Sequence, residues 1–262
     1  MGIKKIKDNR HISLLLLTKN EEGNIKKYFD WLDRCTSINE IVVVDECSID
    51  NTINTLKSLE NKYRKVKIYS PNIEDDFSAK RTFALKNCTN DWIFWLDADE
   101  KPSEELIQFL DHIDKHQCNV YSFKRRDFFF TQELKHGENG HSKFVRLFNK
   151  NYGSFIGRVH EVWKTNQPVV DTNLVISHYP HQSIKSLMEK INYYSDIRAK
   201  ELFDQKVESN VFEIIFYPVA KFFQDYIFKL GFLDSTAGIV MALTMSFHSF
   251  LVRSKLWQLH HP

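Results

Sequence analysis

The sequence has little of what marks several large classes of protein. Its 262 residues include only four cysteines, none in a C-x-x-C spacing, so free thiols in a reducing compartment are expected and not a disulfide framework. The formal net charge is only +2, whereas a nucleic-acid-binding protein usually carries a strong basic excess. The apolar run at residues 12–17 is too short for a signal peptide. We therefore expect a cytoplasmic protein that does not bind nucleic acid.

The most informative segment is residues 92–100, where an apolar run ends in a cluster of carboxylates that includes Asp97 and Asp99. In an extended chain residues i and i+2 point to one face, which puts these two residues roughly 6.5 Å apart at Cα. Such a pair can hold Mg²⁺ or Mn²⁺ and leave coordination positions open for phosphate oxygens. Alternatively, Asp99 or Ser103 caps a helix that begins near Pro102.

The first half of the chain alternates apolar runs with amphipathic segments, a pattern typical of a parallel sheet covered by helices. The predicted strands are residues 12–17, 41–44, 66–69 and 92–96, and the predicted helices are residues 21–34, 51–62 and 77–88. Polar clusters follow three of these strands, at residues 18–21, 45–48 and 97–99. Because α/β sheets bind ligands beyond the carboxyl ends of their strands, we expect a site at this edge.

The second half of the chain first shows short strand patterns and then helical ones. The predicted strands are residues 120–123, 128–130 and 144–148, and helical spacing begins at residue 183. A helix over residues 211–230 should be kinked or divided by Pro218 and should stop at Gly231. We therefore predict two domains, residues 1–182 and a helical region at residues 183–262.

The uncharged stretch at residues 235–252 allows three interpretations. It is long enough for a membrane span, although Ser, Thr and His occupy several positions. It also fits a buried helix pair. Together with the aromatic residues between positions 212 and 232, it fits a surface that lies peripherally on the inner membrane, against an anionic bilayer.

Four ordered motifs then point to one family. They are Thr-Lys-Asn-Glu-Glu at residues 18–22, Val-Asp-Glu-Cys-Ser-Ile-Asp-Asn-Thr at residues 44–52, the segment 92–100, and Arg-Leu-Phe at residues 146–148 followed by Val-His-Glu at residues 159–161. Their order and placement resemble family 2 glycosyltransferases, most closely small bacterial members that add a hexose to the inner core of lipopolysaccharide. The resemblance implies an α/β protein of the GT-A fold. That is a Rossmann-like nucleotide-binding domain with a mostly parallel central sheet flanked by helices, here with a C-terminal helical extension.

The resemblance also implies a substrate class and roles for particular residues. It implies a UDP-hexose donor such as UDP-glucose, a glycan or glycolipid acceptor, and a divalent cation, Mn²⁺ or Mg²⁺. The implied nucleotide-sugar-binding residues are Thr18, Asn20, Glu21, Asp45, Arg81, Asp97 and Arg146. The implied metal ligands are Asp99, Asp97 and His178. Cys47 stands where the family often has a glycine, which raises the question of a positive φ there.

Inversion at the sugar carbon, which the resemblance implies, requires a base that takes a proton from the acceptor. Glu161 is the candidate and His160 is the alternative. Each assignment has a structural alternative: Glu161 pairs with Arg158 or Arg146, Arg81 is a solvated charge on a helix face, and His178 is a structural histidine. Two other functions also stay open, a sugar-phosphate nucleotidyltransferase and a non-catalytic nucleotide-sugar-binding protein.

Overall fold

The computed structural model describes residues 11–61, 64–73, 76–113, 118–137, 142–157, 161–180 and 183–261. The chain divides into two compact units. The first is drawn from residues 1–125 and 143–178, and the second from residues 126–142 and 179–262. All predicted site residues belong to the first unit, although His160 lies outside the described residues. The predicted domain boundary at residue 182 stays a prediction.

The first unit is built on a mixed sheet flanked by helices. Its strands are β1 (Ile12–Thr18), β2 (Ile38–Asp45), β3 (Lys65–Tyr69), β4 (Trp92–Trp95), β5 (Glu100–Pro102), β6 (Val120–Phe129, which continues into the second unit), β8 (Lys143–Asn149), β9 (Gly153–Ile156), β10 (Val162–Thr165) and β11 (Val170–His178). Its helices are α1 (Glu22–Tyr28), α2 (Thr52–Lys57), α3 (Phe77–Asn87) and α4 (Glu104–His112). The strand order is β3-β2-β1-β4-β8-β6-β11-β5, and β9 pairs with β10 in a separate two-stranded sheet.

The four strands predicted in the first half of the chain pair in parallel, as expected. β1 lies between β2 and β4, and β2 also pairs with β3. The rest of the sheet has antiparallel pairs, between β4 and β8, β8 and β6, and β11 and β5. The predicted fold class is confirmed, with the refinement that only four of the nine strands of the sheet, β1 to β4, pair in parallel.

Burial explains why β1 and β2 are mostly apolar. All seven residues of β1 are buried, and so are all residues of β2 except Asn39. A strand covered on both faces needs apolar side chains at most positions, because unpaired polar groups are costly to bury. Ser13 of β1 and Glu40 of β2 are buried as a pair, since Ser13 Oγ donates a hydrogen bond to Glu40 Oε2.

Two local predictions in this unit needed correction. The strand patterns at residues 120–123 and 128–130 form one strand, β6. Pro102 ends strand β5, and the next helix begins only at Glu104. Ser103 caps that helix, since its Oγ accepts a hydrogen bond from Leu106 N at 3.3 Å, so the capping alternative is confirmed for Ser103.

The second unit is mainly helical. It contains the end of β6, β7 (Gln132–Leu134), and the helices α5 (Ile184–Asp204), α6 (Val211–Phe223) and α7 (Ser235–His260). Pro218 does not divide α6, which continues past it into a π-helical turn at Gln224–Phe228. The chain turns at Leu230, which has a φ of 58°, and not at Gly231 as predicted. The segment Gly231–His260 is long and apolar enough to cross a membrane, judged by length and composition only.

Candidate active site

The carboxyl ends of β1 and β2 place Thr18 and Asp45 side by side. The two residues are register partners in the parallel pair, and Thr18 Oγ1 donates a hydrogen bond to Asp45 Oδ1 at 3.1 Å. Ser48 adds two more donors to the same carboxylate, its backbone N at 2.9 Å and its Oγ at 2.5 Å. Asp45 is only 3 % exposed, so its carboxylate has a fixed orientation at the strand end. Its predicted contact with the nucleoside stays a prediction.

Two loops with left-handed residues join at this edge. Asn20 and Cys47 have φ values of 56° and 55°, so Cys47 does adopt a left-handed conformation of the kind that favours glycine. Asn20 Oδ1 accepts a hydrogen bond from Ile49 N at 2.8 Å, and Asn20 N donates to Ser48 Oγ at 2.8 Å. Asn20 thus links the loop after β1 to the loop after β2, which is a structural role beside the predicted binding role.

Glu21 begins the next helix from the same loop. Its backbone N donates to Thr52 Oγ1 at 2.8 Å, and its Oε2 accepts from Asn24 Nδ2 at 2.6 Å. These contacts fix the carboxylate near the start of α1. Its predicted role in the nucleoside pocket stays a prediction.

Asp97 lies between two buried arginines. Its Oδ1 accepts a hydrogen bond from Arg81 Nη2 at 2.7 Å, and its Oδ2 accepts from Arg146 Nη2 at 3.1 Å. Arg146 Nη2 also donates to Glu100 Oε1 at 2.5 Å, and Glu100 Oε2 accepts from the backbone N of Asp97 at 3.1 Å. The solvated-charge alternative for Arg81 is therefore wrong, since its side chain is only 5 % exposed and is paired.

Burial and the arginine charges shift the pKa values of this cluster in opposite directions. Burial by itself would raise the pKa of Asp97, but the charges of Arg81 and Arg146 outweigh it and hold that pKa well below its usual range. Burial raises the pKa of Glu100, although Arg146 opposes the shift. Asp97 is therefore ionised at neutral pH, and its carboxylate pairs with both guanidinium groups.

Trp95 holds the same two arginines from another side, a role that the sequence analysis did not identify. The guanidinium carbons of Arg81 and Arg146 lie 4.2 Å and 4.3 Å from the centroid of its ring. The signal was present in the sequence, because residues 95 and 97 share one face of an extended chain. Among the residues that the structure describes, Nη1 of each arginine is buried and has no hydrogen-bond partner.

Asp99 and His178 come together because β5 pairs with β11. The register sets His178 opposite Glu100, the residue next to Asp99. His178 Nε2 lies 3.6 Å from Asp99 Oδ2, and their side chains are 16 % and 11 % exposed. Within the described ranges no group of three or more His, Cys, Asp or Glu side chains could hold a metal ion. A carboxylate oxygen and an imidazole nitrogen nevertheless fit a divalent cation whose other positions are filled by phosphate oxygens and water.

Glu161 belongs to the arginine cluster. Arg81 Nε donates to its Oε1 at 2.5 Å, and its side chain is 10 % exposed. The ion pair predicted as an alternative, with Arg146, is not the contact that forms, and Arg158 lies outside the described residues together with His160. Arg81 thus bridges Glu161, the candidate base, to Asp97.

Comparisons with known proteins identify the family of the chain. The model of the family described as glycosyl transferase family 2 matches residues 13–173. A protein of Rickettsia typhi named as an uncharacterised glycosyltransferase is 27% identical over 266 residues, which cover 95% of this chain and 88% of the relative. The lipopolysaccharide core biosynthesis glycosyltransferase LpsC of Rhizobium meliloti is 25% identical over 260 residues, which cover 95% of this chain and 93% of LpsC.

A solved structure shares the fold. The mannosyltransferase PcManGT from Pyrobaculum calidifontis, in complex with GDP-Man and Mn²⁺, aligns with a TM-score of 0.52 and 11% identity over 94% of this chain and 86% of its own. The expected GT-A fold is thereby confirmed. Because the family model covers more than half of the sequence, the protein belongs to glycosyltransferase family 2 and is an enzyme of that type.

Proposed function

We propose that the protein is a metal-dependent inverting glycosyltransferase that moves a hexose from a nucleotide sugar, UDP-glucose or a close relative, to a hydroxyl of a lipopolysaccharide core or similar surface glycan. One observation carries the proposal: the Asp99–His178 pair and the Glu161–Arg81–Asp97 chain of ion pairs meet at the segment between β4 and β5, which supplies both Asp97 and Asp99. A candidate cation site and a candidate base thus accompany Arg81 and Arg146, whose Nη1 atoms have no hydrogen-bond partner among the described residues.

In this reaction Glu161 takes the proton from the acceptor hydroxyl as the acceptor oxygen forms a bond to the anomeric carbon. The bond from that carbon to the phosphate oxygen breaks, and the nucleoside diphosphate leaves with the electron pair. Arg81 and Arg146 donate N–H groups to the diphosphate oxygens on which charge develops. Asp99 and His178 would hold Mn²⁺ or Mg²⁺, which when bound acts as a Lewis acid on the diphosphate. Asp97 keeps both arginines in position, which suits it better than direct metal coordination because its two oxygens accept hydrogen bonds from them.

The acceptor class is supported by a relative. LpsC, named for lipopolysaccharide core biosynthesis, aligns along nearly its whole length. We place the enzyme in the cytoplasm, with peripheral contact at the inner membrane where such an acceptor would be anchored. The four cysteines are free, as a reducing compartment would keep them.

The test is release of UDP from UDP-sugars by the purified protein, with and without Mn²⁺. We expect Mn²⁺ to stimulate turnover, and Asp99→Ala to lower the stimulated rate by about 100-fold or more, since a Lewis acid contributes several kcal/mol. Asp33→Ala is the matched control, because Asp33 is 84% exposed and remote in sequence from the cluster.

Three results would count against the proposal. Full metal-stimulated activity of Asp99→Ala would contradict the assignment of Asp99 as a metal ligand. Pyrophosphate formation from UTP and hexose 1-phosphate would favour a nucleotidyltransferase. Metal-dependent UDP binding without turnover on any donor would favour a non-catalytic binding protein.

A further inference from the structure

The helices α6 and α7 of the second unit each carry a stripe of large apolar side chains that face away from the unit. On α6 the stripe consists of Phe212, Ile215, Phe216, Val219 and Phe223, which are 68%, 56%, 62%, 48% and 50% exposed. Their spacing, i, i+3, i+4, i+7 and i+11, places them on one helical face. Buried neighbours do not account for this face, since Pro218 is the one buried residue of α6. We call it the α6 stripe.

α7 repeats the pattern. Ile239, Leu243, Phe247, Phe250 and Trp257 are between 36% and 55% exposed and follow helical spacing. α7 packs against both α5 and α6, and the side chains of Val252 and Leu256 are buried in a cluster with Ala199 and Leu202 of α5. The second unit thus buries one side of α7 and leaves an apolar side exposed. An exposed apolar surface of this extent marks a site of interaction with a membrane or another protein.

The charged groups among these helices are neutralised inside the unit. Glu213 pairs with Arg253 at 3.5 Å. Asp225 pairs with Lys221 at 3.3 Å and with Lys229 at 3.0 Å. Asp234 accepts hydrogen bonds from the backbone N of Lys135 and His136, and it lies 2.8 Å from His136 Nδ1. Ion pairing of this kind lowers the cost of placing charges next to a medium of low dielectric constant.

Polar side chains of α7 are also satisfied within the unit. Thr244 Oγ1 donates to Val240 O at 2.7 Å, and Ser246 Oγ donates to Pro218 O at 2.8 Å. The second bond joins α7 to α6. Hydrocarbon requires polar groups to be paired internally in this way.

We infer that the α6 stripe and the exposed side of α7 form a monotopic membrane-binding surface that inserts into one leaflet of a lipid bilayer. Insertion into one leaflet is favoured over a full span for two reasons. α6 and its π-helical continuation, 13 and 5 residues long, make at most about 27 Å of helix, which is short of a hydrocarbon core of about 30 Å. α7 is packed on α5, which carries many charged residues and cannot enter hydrocarbon. This inference does not depend on the reaction proposed above.

The experiment is flotation of the full-length protein with phosphatidylcholine vesicles, with and without phosphatidylglycerol. We expect the protein to float with both kinds of vesicle to a similar extent, because the basic side chains beside the apolar surface are paired with carboxylates of the same unit. The double variant Phe212→Glu/Phe216→Glu should partition roughly tenfold less or worse, because both side chains lose apolar burial. The matched control is Ile49→Glu/Val169→Glu, which adds the same charges at residues of the first unit that are 92% and 42% exposed. This control should float like the wild type.

Thermal unfolding and UDP release are measured separately from flotation, so that effects on folding and on catalysis can be distinguished from effects on membrane binding. Thermal unfolding should show the same midpoint for the wild type and the stripe variant, since the substituted side chains are exposed. The inference is overturned if the wild-type protein binds neither kind of vesicle, even if it releases UDP. If the protein floats with vesicles but shows no turnover, only the proposed reaction is overturned. A stable dimer in sedimentation, dissociated by the stripe variant and indifferent to vesicles, would assign the surface to a second copy. Equal loss of flotation in the control variant would also overturn the inference.

Discussion

The proposed role of Glu161 depends on the ability of its carboxylate to take up a proton. Replacing it with Gln keeps an oxygen that can accept the hydrogen bond from Arg81 Nε, now 2.5 Å from Glu161 Oε1, but removes the ability to take a proton. We expect Glu161→Gln to lower kcat for transfer by about 10²- to 10⁴-fold with little change in the KM for the donor. Steady-state kinetics with donor and acceptor would measure both. If Glu161→Gln stays active and His160→Ala does not, His160 is the base.

Substitution of Trp95 tests whether Arg81 and Arg146 need the aromatic ring that both guanidinium groups contact. Its indole N–H is buried and has no hydrogen-bond partner in the described part of the chain, so Trp95→Phe is expected to remove no hydrogen bond and keeps an aromatic face. Trp95→Leu removes both cation–π contacts, each worth about 0.5–2 kcal/mol, and we expect donor kcat/KM to fall roughly ten- to hundredfold. The Phe variant should stay much closer to the wild type. Equal losses in the two variants would mean that packing volume matters and that the aromatic face does not.

At the scale of the element, α7 contains a glycine, Gly238, whose replacement by alanine should lower the stability of the protein instead of raising it. Alanine normally stabilises a helix interior relative to glycine by about 1 kcal/mol. A Cβ on Gly238, however, would lie 1.8 Å from the backbone oxygen of Gly231, so α7 would have to move. We expect Gly238→Ala to destabilise the protein by about 1–3 kcal/mol or more in urea unfolding. Thr236→Ala, at an exposed position of the same helix, is the control and should stay within about 0.5 kcal/mol.

The same element scale shows where sequence patterns suffice. Three of the four parallel strands, β1, β2 and β4, were predictable because they are buried and mostly apolar, and the polar clusters mark where they end. The continuation of α6 through Pro218 was not predictable from local rules. Tertiary packing holds this part of α6, since Pro218 is buried, α6 packs on α7, and Ser246 of α7 donates to Pro218 O.

At the scale of the whole molecule, buried carboxylates should make stability depend on pH. Burial opposes ionisation of Glu40, but hydrogen bonds from Lys67, Ser13 and Thr89 lower its pKa below the usual 4.5. Asp97 is shifted in the same direction by Arg81 and Arg146. Groups with lowered pKa values stabilise the folded state above their unfolded pKa values of about 4, and that stability is lost as the pH falls further.

We therefore expect the free energy of unfolding to fall as the pH decreases from 7 through about 4. Glu100, whose pKa is raised by burial, opposes part of this loss because its protonated form is favoured in the folded state. Urea unfolding at a series of pH values measures the slope. Glu40→Gln should be about 1–3 kcal/mol less stable at pH 7 and should show a shallower decline. An unchanged slope in Glu40→Gln would contradict the role assigned to Glu40.

The sequence by itself determined the parallel half of the sheet, the edge at which the polar clusters gather, and the family, because strand periodicity and short ordered motifs are local. Only the tertiary structure decided which of the clustered residues contact one another. Pairing of β5 with β11 brings His178 to Asp99 across nearly eighty positions of the chain, and packing sets Arg81 between Asp97 and Glu161. Such contacts join residues distant in sequence, and their geometry follows from strand register and burial, which no local pattern encodes.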